Sequence, residues 1–375
     1  MSARGVALAC LVEVAGGARA NVVLPARLGS SGLDRRDRAF ATELTYGACR
    51  MQRACDWLVD RHVRGSTDPG VRAALRLGAY QLAWTRVPAH AAVAATVAEV
   101  DGPGRSVVNA VLRRVAEDLA RGPVHWPDPA TALSYPDWVV ARLASDLGPE
   151  AARAALEAMN APASATGRPD GYIQDRASQM VAAHVGTRPG ERVADLCAAP
   201  GGKATAVAGD GAALVVAADL DRSRAAIVAA NASRLGLGSV AVVVADGLRP
   251  PLRPGSLDRV LVDAPCSGLG VLRRRPDARW RVRPGDPTRL AALQRRLLDA
   301  AVPLLRPGGT LVYSVCTLTR EETAGVDRWL ATAHPGLVPL PPPADPWAPA
   351  GRGGLLLPQA AGTDGMFVLA LRRPA

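Results

Sequence analysis

The sequence contains few aromatic residues and no long apolar run. Tryptophan, tyrosine and phenylalanine make up 4% of its 375 residues although 49% are hydrophobic, so leucine, valine and alanine must fill the cores. No uncharged apolar stretch reaches the roughly 18 residues that a transmembrane helix needs, so no membrane partner is predicted. The length is sufficient for two domains.

The N-terminal apolar stretch is a weak candidate for a signal peptide. It is interrupted by Glu13, and an amphipathic helix fits better, with Val6, Leu8, Leu11, Val12 and Val14 on one side. We therefore expect a cytoplasmic protein. Its six cysteines include no Cys-x-x-Cys pair, so we expect reduced thiols and predict no metal site.

Lysine is almost absent, although the formal net charge is +11. A basic excess favours a polyanionic partner, most simply nucleic acid, but a solvated arginine-rich surface would produce the same total. Of the 45 basic residues, only Lys203 is a lysine. Because an ammonium differs chemically from a guanidinium, Lys203 is a candidate functional residue, with chance survival as the alternative.

Two patterns divide the chain. Up to about residue 145, apolar residues recur at helical spacing, which predicts an all-α N-terminal domain. Residues 160–171 are rich in proline, glycine and small residues, which is typical of a linker. From residue 191, apolar strands alternate with helical patterns, which predicts a doubly wound, mainly parallel α/β sheet. The predicted strands are 192–197, 214–220, 240–245, 259–263, 310–315 and 366–371.

The first three predicted strands end at residues that suit a nucleoside ligand. The first leads into Cys-Ala-Ala-Pro-Gly-Gly-Lys, whose small residues and helix-start amides can hold a carboxylate. Asp219 suits a ribose diol, whereas Asp221 suits a helix cap better, and Asp246 suits an adenine amino group. The spacing is neither a P-loop nor a dinucleotide fingerprint, so the pocket favours S-adenosylmethionine over NAD. The predicted cofactor residues are Cys197, Ala198, Ala199, Pro200, Gly201, Gly202, Lys203, Asp219, Asp246 and Asp263.

Two cysteines, Cys266 and Cys316, follow the fourth and fifth predicted strands. A single cysteine is more often a small buried hydrophobe, but two at adjacent strand ends favour chemistry. A thiolate that adds to carbon 6 of cytosine activates carbon 5 toward a methyl sulfonium, and a base must then remove the carbon-5 proton. Asp263 could hold the pyrimidine edge, and Lys203 could supply positive charge. The residues alone do not decide which cysteine is the nucleophile.

An arginine-rich segment, residues 273–283, follows Cys266. Its six arginines and one tryptophan suit phosphate contacts and base stacking on single-stranded RNA, with a solvated charge run as the alternative. The predicted RNA-binding residues are Arg273, Arg274, Arg275, Arg279, Trp280, Arg281 and Arg283.

Four motifs resemble the RNA cytosine-carbon-5 methyltransferase family, and within it the bacterial 16S ribosomal RNA enzymes of the Sun/Fmu (RsmB) type. They are LCAAPGGK (196–203), DAPCSGLGVLRRRPDARW (263–280), LLRPGGTLVYSVCT (304–317) and YIQDRASQM (172–180). Residues 38–50, RAFATELTYGACR, resemble its NusB-like RNA-binding domain. The resemblance implies a NusB-like domain over residues 1–145, a connecting helix and linker over 146–170, and a Rossmann-like, S-adenosylmethionine-dependent methyltransferase domain over 171–375.

The resemblance also implies roles for the site residues. Cys316 would be the nucleophile and Cys266 would assist release of the product. Residues 197–203, Asp219, Asp246 and Asp263 would line the cofactor and substrate site. Two departures stand out. Most of a small RNA-contacting region that usually joins the two domains is missing here, which leaves the target nucleotide open. The nucleophile motif reads Val-Cys-Thr rather than Thr-Cys-Ser.

Three alternatives compete with a 16S ribosomal RNA methyltransferase. A tRNA cytosine-carbon-5 methyltransferase would use the same chemistry. A non-catalytic RNA-binding factor for ribosome assembly or transcription antitermination would not need the two cysteines, Asp263 and Lys203, all of which are present. An NAD-dependent reductase would need the glycine fingerprint that is missing. No obligate protein partner is indicated.

Overall fold

The computed structural model describes residues 1–375, which divide into two compact units. The first, here called the helical unit, comprises Met1–Ala141 and Arg274–Val282. The second, the sheet unit, comprises Arg142–Arg273 and Arg283–Ala375. This division differs from the predicted one, which placed residues 274–282 in the C-terminal domain and a linker at 146–170.

The helical unit contains α-helices and one short 3-10 helix (Pro276–Trp280) and no strand, as the predicted all-α domain requires. Its helices are α1 (Ala3–Ala15), α2 (Ala20–Ser30), α3 (Arg35–Arg50), α4 (Gln52–Asp60), α5 (Pro69–Trp84), α6 (Ala89–Ala98), α7 (Gly104–Ala120) and α8 (Pro129–Leu133), and α9 (Asp137–Leu147) follows. Asp34 is the N-cap of α3, and its side chain accepts a hydrogen bond from the amide of Asp37 at 2.8 Å. Because a Cβ at Gly47 would lie 2.0 Å from the Tyr80 ring, glycine permits α3 to approach α5 closely.

The N-terminal stretch forms helix α1, which buries Val6 and Cys10 within the helical unit. The predicted helix is therefore present, but Val12, which was expected on its apolar side, is 38% exposed. No helix of the chain combines the length and the apolar character that crossing a membrane would require.

The sheet unit contains nine strands in one mixed sheet. They are β1 (Arg192–Asp195), β2 (Leu214–Asp219), β3 (Val240–Val244), β4 (Leu257–Asp263), β5 (Leu305–Val315), β6 (Val338–Pro339), β7 (Ala348–Ala350), β8 (Gly353–Leu356) and β9 (Met366–Arg372). The order is β3-β2-β1-β4-β5-β9-β8-β7, with β6 paired to β9, and β1 to β5 are parallel. All six predicted strands are present, and the three short strands β6 to β8 were not predicted.

Helices cover both faces of this sheet, as a doubly wound fold requires. They are α10 (Pro149–Ala158), α11 (Arg176–His184), α12 (Gly202–Gly209), α13 (Arg222–Arg234), α14 (Asp286–Ala301), α15 (Ala324–Ala333) and α16 (Pro358–Ala361). One apolar core packs α14 and α15 against the sheet, and another packs α11, α12 and α13. The order reverses between β1 and β4, and ligands of such sheets bind beyond the strand ends at this point.

Candidate active site

The loop between β1 and α12 has the conformation that its glycines predict. Gly201 adopts a φ of +102°, in the left-handed region, and a Cβ there would lie 3.2 Å from Val228. A Cβ at Gly202 would lie 2.9 Å from Nε2 of Gln174. These glycines therefore allow close packing around the loop. No side chain caps the start of α12, so its first amides remain suited to an anionic ligand group.

Asp219, at the end of β2, holds the β1–α12 loop by a hydrogen bond to its backbone. One carboxylate oxygen accepts a hydrogen bond from the amide of Ala199 at 3.2 Å, and the other accepts from the amide of Asp221 at 3.1 Å. Asp221 caps α13 through the amide of Arg224 at 2.9 Å, as its position suggested. Asp246 is exposed beyond β3. The sequence reasoning missed Leu220, whose 71% exposed side chain offers an apolar surface beside Asp219.

An ion pair between a buried lysine and a half-buried aspartate joins the loop to the end of β4. Nζ of Lys203 lies 2.6 Å from Oδ2 of Asp263, and Ser314 donates a hydrogen bond to Oδ1 at 2.6 Å. Burial lowers the pKa of Lys203, but the charge and hydrogen bond of Asp263, followed by the charge of Cys316, outweigh it and the pKa is raised. Lys203 therefore remains an ammonium near the cysteines and is unsuited to act as a base.

Asp195, at the end of β1, was not recognised from the sequence. It is 1% exposed, and its Oδ1 accepts a hydrogen bond from the amide of Cys197 at 3.3 Å, whereas Oδ2 is buried with no hydrogen-bond partner. Burial, and then the charge of Asp263, raise the pKa of Asp195 to about 7. An acidic residue at a strand end next to a glycine-rich loop was the available signal.

The two cysteines at the strand ends meet. Sγ of Cys266, in the loop after β4, lies 3.2 Å from Sγ of Cys316, which follows β5. The hydrogen bond with Cys316, and then burial, raise the pKa of Cys266 well above the usual value for a thiol. Burial also raises the pKa of Cys197, so Cys197 is not a third reactive thiol.

A buried glutamate lies beneath the two cysteine loops. Glu322 is 0% exposed and accepts hydrogen bonds from Ser267, next to Cys266, and from Thr319, which follows Cys316. Sequence reasoning missed Glu322 because one acidic residue in a helix-flanking segment has no distinctive spacing.

The predicted linker is packed against the loop between β1 and α12. Arg168 is 9% exposed and donates a hydrogen bond to the carbonyl oxygen of Gly202 at 2.6 Å. Its guanidinium also lies 4.8 Å from the ring centroid of Tyr172. Residues 160–171 are therefore not a free connection, because Arg168 fixes their end to the loop that begins α12.

The arginine-rich segment does not lie on the surface as a whole, which corrects the predicted RNA contacts of Arg279. Arg279 is 0% exposed, lies 3.8 Å from the Tyr135 ring centroid and donates to the carbonyl oxygens of Arg50 and Ser134. Burial lowers its pKa to about 10. These contacts are inside the helical unit, so Arg279 supports that unit's structure.

Other members of the segment differ in exposure. Trp280 donates to the carbonyl oxygen of Cys49 at 2.7 Å, so its indole nitrogen is already engaged within the helical unit. Arg273 is 9% exposed, which limits any phosphate contact. Arg275, Arg281 and Arg283 are exposed and Arg274 is half-buried. The prediction of RNA binding therefore stays open mainly for the three exposed arginines.

Comparison with known proteins identifies relatives of the whole chain. The family model described as 16S rRNA methyltransferase RsmB/F matches residues 182–372, and the NusB family model matches residues 1–117. The ribosomal RNA small subunit methyltransferase B of Thermus thermophilus is 39% identical over 404 residues, covering 99% of this chain and 97% of that protein.

Two solved structures resemble this chain. The crystal structure of PH0851 has a TM-score of 0.81 at 21% identity and covers 99% of both chains, so it shows the shared fold. A methyltransferase homologue from Pyrococcus horikoshii has a TM-score of 0.52 at 26% identity, covering 66% of this chain and all of that one. The comparisons confirm the predicted family resemblance, the fold class and S-adenosylmethionine as the cofactor.

Proposed function

The chain belongs to the 16S rRNA methyltransferase RsmB/F family, and we propose that it methylates carbon 5 of a cytosine in 16S ribosomal RNA through a covalent cysteine adduct. The observation that carries this proposal is the 3.2 Å separation of the Cys266 and Cys316 thiols beside the ion pair of Lys203 and Asp263. Methylation of an exocyclic nitrogen or an oxygen has no use for two thiols, whereas a ring carbon needs one to become nucleophilic.

The residues around the β1–α12 loop fit S-adenosylmethionine. The left-handed Gly201 shapes the loop, and the uncapped start of α12 suits the carboxylate of the methionine part. Asp219 and the exposed Asp246 suit the ribose and the adenine amino group, with Leu220 as an apolar surface for the base. When bound, the cofactor supplies an electrophilic methyl group.

Cys316 acts as the nucleophile in this proposal. Its thiolate adds to carbon 6, and the electron pair of the 5,6 double bond becomes available at carbon 5, which takes the methyl group. Lys203 is held as an ammonium by Asp263 and stabilises negative charge near Cys316. Asp263 has a side chain that is 30% exposed, so it remains accessible to the edge of the cytosine ring.

Cys266 assists release of the methylated base. The carbon-5 proton must be removed so that the bond between Cys316 and carbon 6 can break and the sulfur can leave with its electron pair. Cys266 lies beside Cys316, and its raised pKa keeps it as a thiol at neutral pH, so it first gives its proton to solvent water. The resulting thiolate is a strong base, and it accepts the carbon-5 proton. The roles assigned from the family resemblance are therefore compatible with the geometry.

The proposal is tested by bisulfite mapping of total RNA from cells with and without the gene. We expect one or more 16S cytosines to lose methylation and to regain it with the wild-type gene but not with Cys316→Ala. Loss confined to tRNA would favour a tRNA enzyme. An unchanged map would contradict the proposed activity and favour a non-catalytic RNA-binding factor. Full restoration by Cys316→Ala would contradict catalysis through Cys316.

A further inference from the structure

Glu322 is a fully buried carboxylate at the junction of the two cysteine loops. Its Oε1 accepts hydrogen bonds from the amide of Ser267 at 2.8 Å and from Nε2 of Gln294 at 3.0 Å. Its Oε2 accepts from the hydroxyls of Ser267 at 2.5 Å and Thr319 at 2.9 Å. Each carboxylate oxygen thus has two donors, which match its two lone pairs.

Three of the four donors come from the segments that carry the thiols, and the fourth, Gln294, belongs to α14. Ser267 follows Cys266 in the chain. The side-chain NH₂ group of Gln294 also donates a hydrogen bond to the carbonyl oxygen of Pro265, the residue before Cys266, at 2.9 Å. Ser267 is therefore fixed by Glu322 directly, and Pro265 is fixed by Gln294, which also donates to Glu322.

The segment around Cys316 is also connected to Ser267 and Glu322 by hydrogen bonds. Thr317, the residue after Cys316, lies with its hydroxyl 2.8 Å from that of Ser267. Tyr313, three residues before Cys316, donates to the backbone oxygen of Glu322 at 2.7 Å. The network consequently spans both loops at the point where the two thiols face each other.

We propose that Glu322 is a positioning residue that holds the thiols of Cys266 and Cys316 in register for formation and release of the cysteine adduct. This inference rests on the proposed function. A glutamine at residue 322 could keep its oxygen for the two N–H donors, but its NH₂ group would face the hydroxyls of Ser267 and Thr319, which would have to rotate and accept. The charge is also lost, so four charge-assisted hydrogen bonds become weaker neutral ones and the two loops are held less tightly.

The charge environment of Cys266 supports the same role. Among the causes that raise the pKa of Cys266, the charge of Glu322 follows the hydrogen bond and charge of Cys316 and the effect of burial. Glu322 therefore favours the thiol form of Cys266.

A cross-linking assay measures the thiol geometry without any methyl transfer. Diamide takes one hydrogen from each of two adjacent thiols, forms a disulfide and is reduced to the hydrazine. A disulfide requires a specific geometry, so the rate at which the Cys266–Cys316 bond forms reports how the two sulfurs are held. This rate is measured from the mass of the cross-linked peptides. We compare wild type, Glu322→Gln and the milder Thr319→Val, which removes one of the four donors.

Thr323→Val is the matched control. Thr323 is also buried, and its hydroxyl bonds to the backbone oxygen of Thr319 at 2.8 Å without touching the Glu322 carboxylate. We expect the cross-linking rate to fall at least about tenfold in Glu322→Gln and less in Thr319→Val, and to stay near wild type in Thr323→Val. If Glu322→Gln does not fold, Thr319→Val carries the comparison.

Activity then separates positioning from general loosening. We expect Glu322→Gln to lower kcat by about 100-fold while KM for RNA changes by less than about threefold, because the thiols are displaced but the cofactor loop is intact. If wild type leaves cytosine unmethylated, the proposed function fails, while cross-linking still tests the placement of the thiols. Wild-type cross-linking in both Glu322→Gln and Thr319→Val, or equal slowing in all three variants, would overturn the role of Glu322.

Discussion

Lys203 and Asp263 form an ion pair, with Nζ of the buried lysine 2.6 Å from Oδ2 of the half-buried aspartate. The pair links the loop that begins α12 to the end of β4, and Lys203 is the only lysine of the chain. A guanidinium is larger and planar, so an arginine could not reproduce this contact in the same space.

We therefore expect Lys203→Arg and Lys203→Met both to slow formation of the covalent RNA adduct. The test uses the Cys266→Ala background, in which the adduct should accumulate, and follows the rate of the slow band on a denaturing gel. A rate equal to that of Cys266→Ala alone would show that the ammonium of Lys203 does not assist the thiolate.

Alanine variants of the two cysteines should stop the reaction at different steps. Cys316→Ala should lose methyl transfer and the covalent adduct, since no thiolate remains to activate the ring. Cys266→Ala should still form the adduct but stall at release, so protein should accumulate on RNA. A slow band in Cys316→Ala instead would reverse the two roles, and trapping by neither variant would remove support for this division.

Asp219 should contribute directly to cofactor affinity. Asp219→Ala removes a carboxylate suited to the ribose, and a hydrogen bond to a charged group contributes roughly 1.5–3 kcal/mol, so affinity for S-adenosylmethionine should fall at least about tenfold by calorimetry. Asp221→Ala is the control, because it removes the cap of α13 and should cost about 1 kcal/mol of stability with little change in affinity. Equal affinities in the two variants would place Asp219 outside the site.

The exposed and buried arginines of residues 274–283 should respond differently to salt. Replacing Arg275 and Arg283 with alanine should reduce the slope of log affinity for single-stranded RNA against log salt by about 1.4, or about 0.7 for each contact. Arg279→Met should leave the slope unchanged but lower the unfolding free energy by at least about 2 kcal/mol, because it removes a desolvated contact with the Tyr135 ring. An unchanged slope in the double variant would make the segment a solvated charge run.

Asp195 should make stability depend on pH. The pKa of its carboxyl is raised to about 7 in the folded chain, above its usual value near 4 when unfolded. The protonated form therefore favours folding below pH of about 4, and this contribution is lost as pH rises through about 7. The unfolding free energy of Asp195→Asn minus that of wild type should therefore increase as the pH rises from about 4 to about 7. Above pH of about 7 this difference should stay constant. Urea unfolding across this range measures the difference, and a constant difference would contradict the raised pKa.

The sequence by itself determined the positions of the main strands and the residues that follow them. Short apolar runs predicted all six principal strands, because strands covered on both faces must be apolar along their length. The carboxyl ends of β1 to β5 meet at one edge, so the motifs around Lys203, Asp219, Asp263 and the two cysteines were expected near one another. The short strands β6 to β8 were missed because runs of two to four residues carry too little periodicity.

Only the tertiary structure decided which side chains of those motifs are exposed and which are held inside. Arg279 looked like a phosphate contact, but its acceptors include the backbone oxygen of Arg50, 229 residues away in the chain. Glu322 looked unremarkable, yet its carboxylate meets Ser267, 55 residues away. Composition and periodicity report the local tendency of the chain, whereas burial and hydrogen-bond partners depend on contacts between distant segments that form only when the chain has folded.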